Sequence, residues 1–369
     1  MRPQKWQHSH LLTDGGVFYE ELLDAIGGAE TSVDFEYYIF SNDALGDRFV
    51  SALTSAAQRG VQVRVLIDGI GSAPSGPEIA SRLNRGGVDV KIYHPAPWLS
   101  AGYRWSLVRG DWLYKFFLFA LNINRRNHRK LCVVDGSKAW VGSLNISAEH
   151  LPAAAGGAGW RDYAVALRGE GVHFLQRGFE MQWLSRPARL QRGFLAQHLS
   201  NRSRRARRLK NRFVTSSVAT ARSRVWVVNA YFAPTARLRR ALLRACRAGA
   251  DVRLLLPESS DVRFFPSLSN HYYSELLRAG ARIFLYRANV LHAKALLIDD
   301  FFILGSSNLN YRSTLHDLEL DVVVDDAVTV VKLEAVIAGD CATAEELEQE
   351  RLPPPTLGSW FWYALRYWM

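Results

Sequence analysis

A chain of 369 residues that is 48% hydrophobic and 22% charged has the composition of a folded protein with room for two domains, which excludes a disordered or fibrous chain. Its formal charge of +11 points to a polyanionic partner, nucleic acid or an anionic lipid surface, and charge alone does not separate the two. Three scattered cysteines (Cys132, Cys246 and Cys341) exclude a disulfide framework or a zinc-like spacing and fit a reducing compartment.

The N-terminus, Met1 to Asp14, has no apolar signal core. No window reaches the 18 or so apolar residues of a membrane span, so the chain is expected to lie on a membrane rather than cross it. Phe18 to Ile26 reads as a helix and Ser32 to Phe40 as a strand, with Glu36 as an inward polar group. Leu45 to Gln58 is an amphipathic helix ending at Gly60, and Val61 to Ile67 an apolar strand. The same order returns as Val225 to Val228, Arg237 to Arg247 ending at Gly249, and Val252 to Leu256. "AAQRGVQVRVLID" aligns with "ACRAGADVRLLLP", and "LNRGGVDVKIYH" with "LLRAGARIFLYR". Strands alternating with helices predict an α/β chain of two halves, each with a covered, mostly parallel sheet. The join falls near Gln191 to Val218, a stretch dense in arginine that reads as a solvated linker or helix face, or as an anion-attracting strip beside the active site.

Each half ends in one constellation. The first is His128-x-Lys130-x4-Asp135 followed by Gly142-Ser143-x-Asn145; the second is His292-x-Lys294-x4-Asp299 followed by Gly305-Ser306-x-Asn308. On a strand, alternate side chains share a face, so each histidine and lysine point together. Asp135-Gly136 marks a hairpin turn, and the returning strand brings Ser143 and Asn145 to the same face. Two imidazoles and two ammonium groups suit a phosphodiester. The lysines neutralise its oxygens, Ser and Asn donate hydrogen bonds, one histidine attacks phosphorus, and the other protonates the leaving oxygen. Neither a metal nor a cofactor is expected. Each imidazole needs a carboxylate on its other nitrogen; Asp162 and Glu319 are the candidates, within their own half or crossing between halves, with Asp317 and Asp321 as alternatives. Asp135 and Asp299 complete the motif, although their turn positions suit fixing the hairpin. Gly142 and Gly305 suit close backbone approach. The remaining histidines, His150 among them, have no paired motif and are expected to serve surface or core.

The doubled motif with its trailing G-S-x-N resembles the phospholipase D superfamily from about Leu12 to Val324. "YYIFSNDALGDRF", "NRRNHRKLCVVDG", "SLNISAEHL" and "SNLNYRS" look like bacterial cardiolipin synthases, in particular the B-type, which lacks N-terminal transmembrane helices. The resemblance implies homologous α/β/α halves, 1–200 and 201–369, with central mixed sheets and the active site at their interface. It further implies phosphatidyl transfer between anionic phospholipids through a phosphohistidine on His128, at the cytoplasmic face of a bacterial membrane. Spacing alone does not choose between the histidines, and a hydrolase or a nuclease of the same fold stays open, with nucleic acid the less favoured substrate.

From Asp135 to Gly142 is seven residues, but from Asp299 to Gly305 only six. A one-residue slip inverts a strand's facing, so Ser306 and Asn308 point inward only if the turn absorbs the difference. Two aromatic segments, 107–124 and the C-terminal "LGSWFWYALRYWM", suit interfacial anchoring.

Overall fold

Every second residue of the strands that carry the motifs faces a different apolar core, and this sets the architecture. In β5 (Leu131–Val134), Leu131 and Val133 face one cluster while Cys132 and Val134 face another. In β12 (Lys294–Ile298), Ala295 and Leu297 join the first cluster, and Leu296 and Ile298 a third. Strands with both faces covered read as continuous apolar runs, as these do. The first cluster lies between the two halves and draws Leu131, Val141 and Val165 together with Val228, Leu304 and Val322. The other two lie under each half's outer helices.

The computed structural model describes residues 6–95, 125–185, 198–352 and 357–367. The 107–124 segment lies outside them. The first half holds β1 (His8–Leu12), α1 (Gly15–Gly27), β2 (Ser32–Tyr37), α2 (Ala44–Gln58), β3 (Gln62–Asp68), α3 (Gly76–Arg85), β4 (Asp89–Tyr93), β5, β6 (Lys138–Gly142), β7 (Ala164–Arg168) and α4 (Gly171–Trp183). Its seven-stranded sheet has the order β1-β7-β6-β5-β2-β3-β4.

The second half repeats the plan with α5 (Arg204–Ala219), β9 (Arg224–Asn229), α6 (Ala236–Arg247), β10 (Asp251–Pro257), α7 (Phe265–Arg278), β11 (Arg282–Tyr286), β12, β13 (Phe301–Gly305), α8 (Tyr311–Leu315), β14 (Leu320–Val324) and α9 (Ala327–Thr343). Its sheet of eight strands also takes β8 (His198–Ser200) and the short β15 (Glu345–Glu346), in the order β15-β11-β10-β9-β12-β13-β14-β8. A final helix, α10 (Leu357–Leu365), packs against α7.

Both sheets are mixed. Only β2-β3-β4 and β9-β10-β11 run parallel, because those strands are joined by helical crossovers. The motif strands return as hairpins and pair antiparallel, so the expectation of mostly parallel sheets fails at the strands that carry the chemistry.

The arginine-rich join is the helix α5. Ser203 caps its start, and Ala206, Lys210 and Val218 are its buried stripe. No helix among the described residues is long and apolar enough to cross a membrane.

Candidate functional site at the meeting of the two halves

Two β-bridges between the halves build the site. Asn127 pairs with Leu318, and Arg161 with Leu291. The His128 amide donates to the Leu318 carbonyl at 2.9 Å, and the His292 amide to the Arg161 carbonyl at 2.8 Å. Backbone pairing thus sets each histidine beside the carboxylate of the opposite half. His128 Nδ1 lies 3.1 Å from Glu319 Oε2, and His292 Nδ1 lies 2.7 Å from Asp162 Oδ1. Asp317 and Asp321 face neither histidine: Asp317 binds Arg312 and the Arg126 amide, and Asp321 pairs with Lys210 at 2.7 Å.

The turn absorbs the shorter second hairpin. Val134 faces Lys138 across the three-residue loop Asp135-Gly136-Ser137, whereas Ile298 faces Phe301 across Asp299-Asp300 alone. Ser306 therefore keeps the facing of Ser143. Both hydroxyls donate to carboxylates, Ser143 to Asp162 at 2.6 Å and Ser306 to Glu319, so they hold the acids rather than a phosphate. Gly142 and Gly305 allow this: a Cβ on either would collide with the carboxylate-bearing segment, at Tyr163–Ala164 or Leu320–Asp321. Asn145 Oδ1 accepts from the Ile39 amide at 3.3 Å, while the buried Asn308 Oδ1 has no partner among the described residues.

Asp135 and Asp299 stand at the far ends of β5 and β12 from the lysines. Both are in the left-handed region, at φ 51° and 47°. Asp135 accepts from the amides of Glu30, Thr31 and Ser32, and Asp299 from those of Arg222, Ser223 and Arg224. Their carboxylates clamp the start of β2 and β9 to the motif hairpin. These contacts suit the hairpin-fixing role that their turn positions suggest. Glu36 sits behind the first motif, where it accepts from Asn127 at 2.8 Å.

His150 is the residue that sequence reasoning missed. Its Nδ1 bonds Asp162 Oδ2 at 2.6 Å, so one carboxylate joins two imidazoles. In the second half Ser313 occupies the matching place and donates to Glu319 Oε1 at 2.6 Å. Each lies seven residues after its motif serine, and each meets the amide of its motif asparagine. The ligand-type atoms of His150, Asp162 and His292 lie within 4.8 Å of one another, and mutual hydrogen bonds account for all of them. One carboxylate thus orients two imidazoles.

Burial and the Lys130 charge lower the pKa of His128, against the pull of Glu319. Burial and Lys294 push His292 down to about 3. Burial works against both acids, yet the histidines keep Asp162 well below the usual carboxylate range and Glu319 lowered. The site therefore holds neutral imidazoles on ionised carboxylates, with each Nδ1 occupied and each Nε2 lone pair available. Burial lowers Lys130 to about 7, helped by Lys294, and Lys294 itself to about 8. Lys130 Nζ donates to the His128 carbonyl at 2.9 Å, and Lys294 Nζ to the His292 carbonyl. Tyr38 and Tyr231 lie against His128 and His292, with ring centroids 4.8 and 6.4 Å away. Two nucleophilic nitrogens beside two buried ammonium groups can carry displacement at an anionic diester.

A family model described as "Cardiolipin synthase, PLD-like domain" matches residues 22–153 and 214–340. The sequence is 32% identical over 352 residues to cardiolipin synthase A of Pseudomonas fluorescens (strain SBW25), covering 92% of this chain and 70% of that protein. It is 30% identical over 366 residues to cardiolipin synthase B of Escherichia coli (strain K12), covering 94% and 83%. Among solved structures, the phosphatidylserine synthase of Haemophilus influenzae Rd KW20 superposes with a TM-score of 0.72 at 13% identity, over 99% of this chain and 94% of that one. That last likeness is one of fold.

Proposed function

Since the chain belongs to the cardiolipin synthase family of PLD-like proteins, we propose that it is a phosphatidyltransferase that joins two phosphatidylglycerol molecules into cardiolipin with release of glycerol. The crossed histidine–carboxylate pairs carry the reading, because they leave two oriented Nε2 atoms for one phosphorus.

His128 Nε2 attacks the phosphorus of the donor. An N–P bond forms, and the P–O bond to the glycerol headgroup breaks. The bound diester's charge favours the imidazolium of His292, which gives its Nε2 proton to the departing oxygen. Neutral His292 then takes the proton of the acceptor hydroxyl, whose oxygen attacks phosphorus and breaks the N–P bond. Both imidazoles return to their starting state. Lys130 and Lys294 neutralise the non-bridging oxygens. His292 has the acid–base part, and its carboxylate also orients His150.

The substrate lies in a bilayer, and the protein is expected to act from its cytoplasmic face. The exposed Trp360 and Phe361 of α10 supply an interfacial contact of the kind aromatic side chains make. The test is to incubate the protein with phosphatidylglycerol vesicles and follow products by mass spectrometry, with His128→Ala in parallel. Cardiolipin and free glycerol, both lost in the variant, are expected. Phosphatidic acid alone would make the protein a hydrolase, and the absence of lipid turnover would overturn the reading.

A further inference from the structure

The two halves differ sharply in one place. The clamp aspartates align them, since Thr31 serves Asp135 as Ser223 serves Asp299. On that alignment Ile26 of α1 matches Val218 of α5, and both are fully buried. Phe18 and Tyr19 then match Lys210 and Asn211. Counting back from the glycines that follow α2 and α6, Phe49 matches Leu238.

In the first half these rings fill the seam between the two helices. Phe18 and Tyr19 pack with centroids 5.1 Å apart, and Tyr19 and Phe49 at 5.9 Å. In the second half Lys210 turns away to Asp321 and Ser307, and smaller side chains replace the other two rings. A cavity of about 730 Å³ stands there instead. It opens to solvent, and its size falls within the roughly 300–1,000 Å³ of ligand sites.

Its chemistry is that of a lipid. Val214, Leu238, Leu296, Ile303 and Leu309 give it apolar walls. At its mouth stand Arg208, Arg212, Arg237 and Arg240, all exposed and none in an ion pair among the described residues. At its inner end are Lys294 of the motif and Asn308, whose buried Oδ1 lacks a partner there. A phospholipid with its anionic, hydroxyl-bearing head at Lys294 and Asn308 and an acyl chain along the apolar walls fits the inner end and the walls, and the arginines at the mouth suit the anionic lipid surface from which it enters.

We propose that the α5–α6 cavity is an acyl-chain site that holds one anionic phospholipid against the second motif. The halves are then unequal in duty: the first has a filled seam, and the second grips a lipid by its tail. The identity of the lipid rests on the phosphatidyltransferase reading; the site itself rests on the cavity.

Binding is tested in full-length His128→Ala with phosphatidylglycerols of increasing chain length, kept below their micelle concentration, with bound lipid counted by native mass spectrometry. One lipid is expected, with an apparent Kd that falls up to about fourfold for each methylene entering the cavity. Adding Asn211→Tyr and Leu238→Phe copies the first half and should flatten that dependence. An equal dependence in the filled variant overturns the proposal.

Should the filled variant fail to fold, the unmodified chain decides. It is photolabelled by phosphatidylglycerol carrying a diazirine at the end of one acyl chain. Labels on Val214, Leu296 or Ile303 support the site, and labels confined to other surfaces overturn it. Transfer activity without these labels keeps the function and removes the cavity; labels without transfer do the reverse.

Discussion

His128 and Glu319 are 191 residues apart in the chain and 3.1 Å apart in space. The Asn127–Leu318 bridge puts them there, as the Arg161–Leu291 bridge does for His292 and Asp162. An imidazole whose Nδ1–H is held by an ionised acid keeps one tautomer and one orientation.

Glu319→Gln keeps the shape of that partner and removes its charge. We expect kcat to fall by roughly 10²–10⁴ with KM changed little, because the loss is in the tautomer and charge that the reaction needs. Steady-state kinetics on phosphatidylglycerol check this.

The two histidines should separate in trapping experiments. In His292→Ala the first displacement loses its acid and the second its base, so the donor used is phosphatidyl-p-nitrophenol, whose leaving group needs no proton. A phosphatidyl adduct on His128 is therefore expected to accumulate, read by peptide mass spectrometry. His128→Ala should show no adduct. An adduct on His292 in His128→Ala would reverse the assignment.

His150→Ser gives the first half the second half's chemistry at that position. The serine keeps a hydrogen bond to Asp162 but removes the second imidazole. A loss of roughly 10- to 100-fold in kcat is expected, the usual cost of a lost supporting partner.

The lysines set an alkaline limit. Their pKa values are lowered to about 7 and about 8, so each is charged below its value and loses its proton as pH rises through it. Anion binding needs the charged forms. kcat/KM should therefore fall above about pH 7, by up to roughly tenfold per unit, and more steeply above about pH 8. Lys130→Arg, which stays protonated, should move this limit upward at a lower maximum rate.

Asp135→Asn and Asp299→Asn should act on stability. Burial is the largest single effect and opposes it, but the surrounding amides together lower the pKa of both carboxyls. Their contribution is thus complete above the unfolded value near 4 and is lost as pH falls through the folded one. At neutral pH each change should cost about 1 kcal/mol, with kcat/KM within about twofold of the parent. Thermal melts at pH 7 and pH 3 check this; the deficit should narrow in acid.

The doubled motif was legible because its residues repeat by identity, and strand periodicity placed His, Lys, Ser and Asn on one face. His150 was passed over because its counterpart is a serine. Equal spacing from Ser143 and Ser306 was the available signal, but spacing without identity does not stand out. The serines' allegiance to carboxylates was hidden as well, since it depends on strand neighbours that only the folded sheet supplies. The join reads in the sequence as a linker or a helix face alike, because arginines interrupt the buried stripe of Ala206, Lys210 and Val218 that marks it as helix α5. The α5–α6 cavity was out of reach for a different reason: it is defined by ring volume missing from one copy.

The crossed carboxylates also say something about ancestry. Each half carries the acid that the other half's imidazole needs, so neither is complete alone. Two identical half-length chains on a two-fold axis would assemble this same centre, each lending its acid to the other. Once such a pair is joined in a single polypeptide, symmetry is no longer imposed, and each copy is free to mutate by itself. The histidine and serine at positions 150 and 313, and the filled and hollow helix seams, are the divergence that this freedom allows.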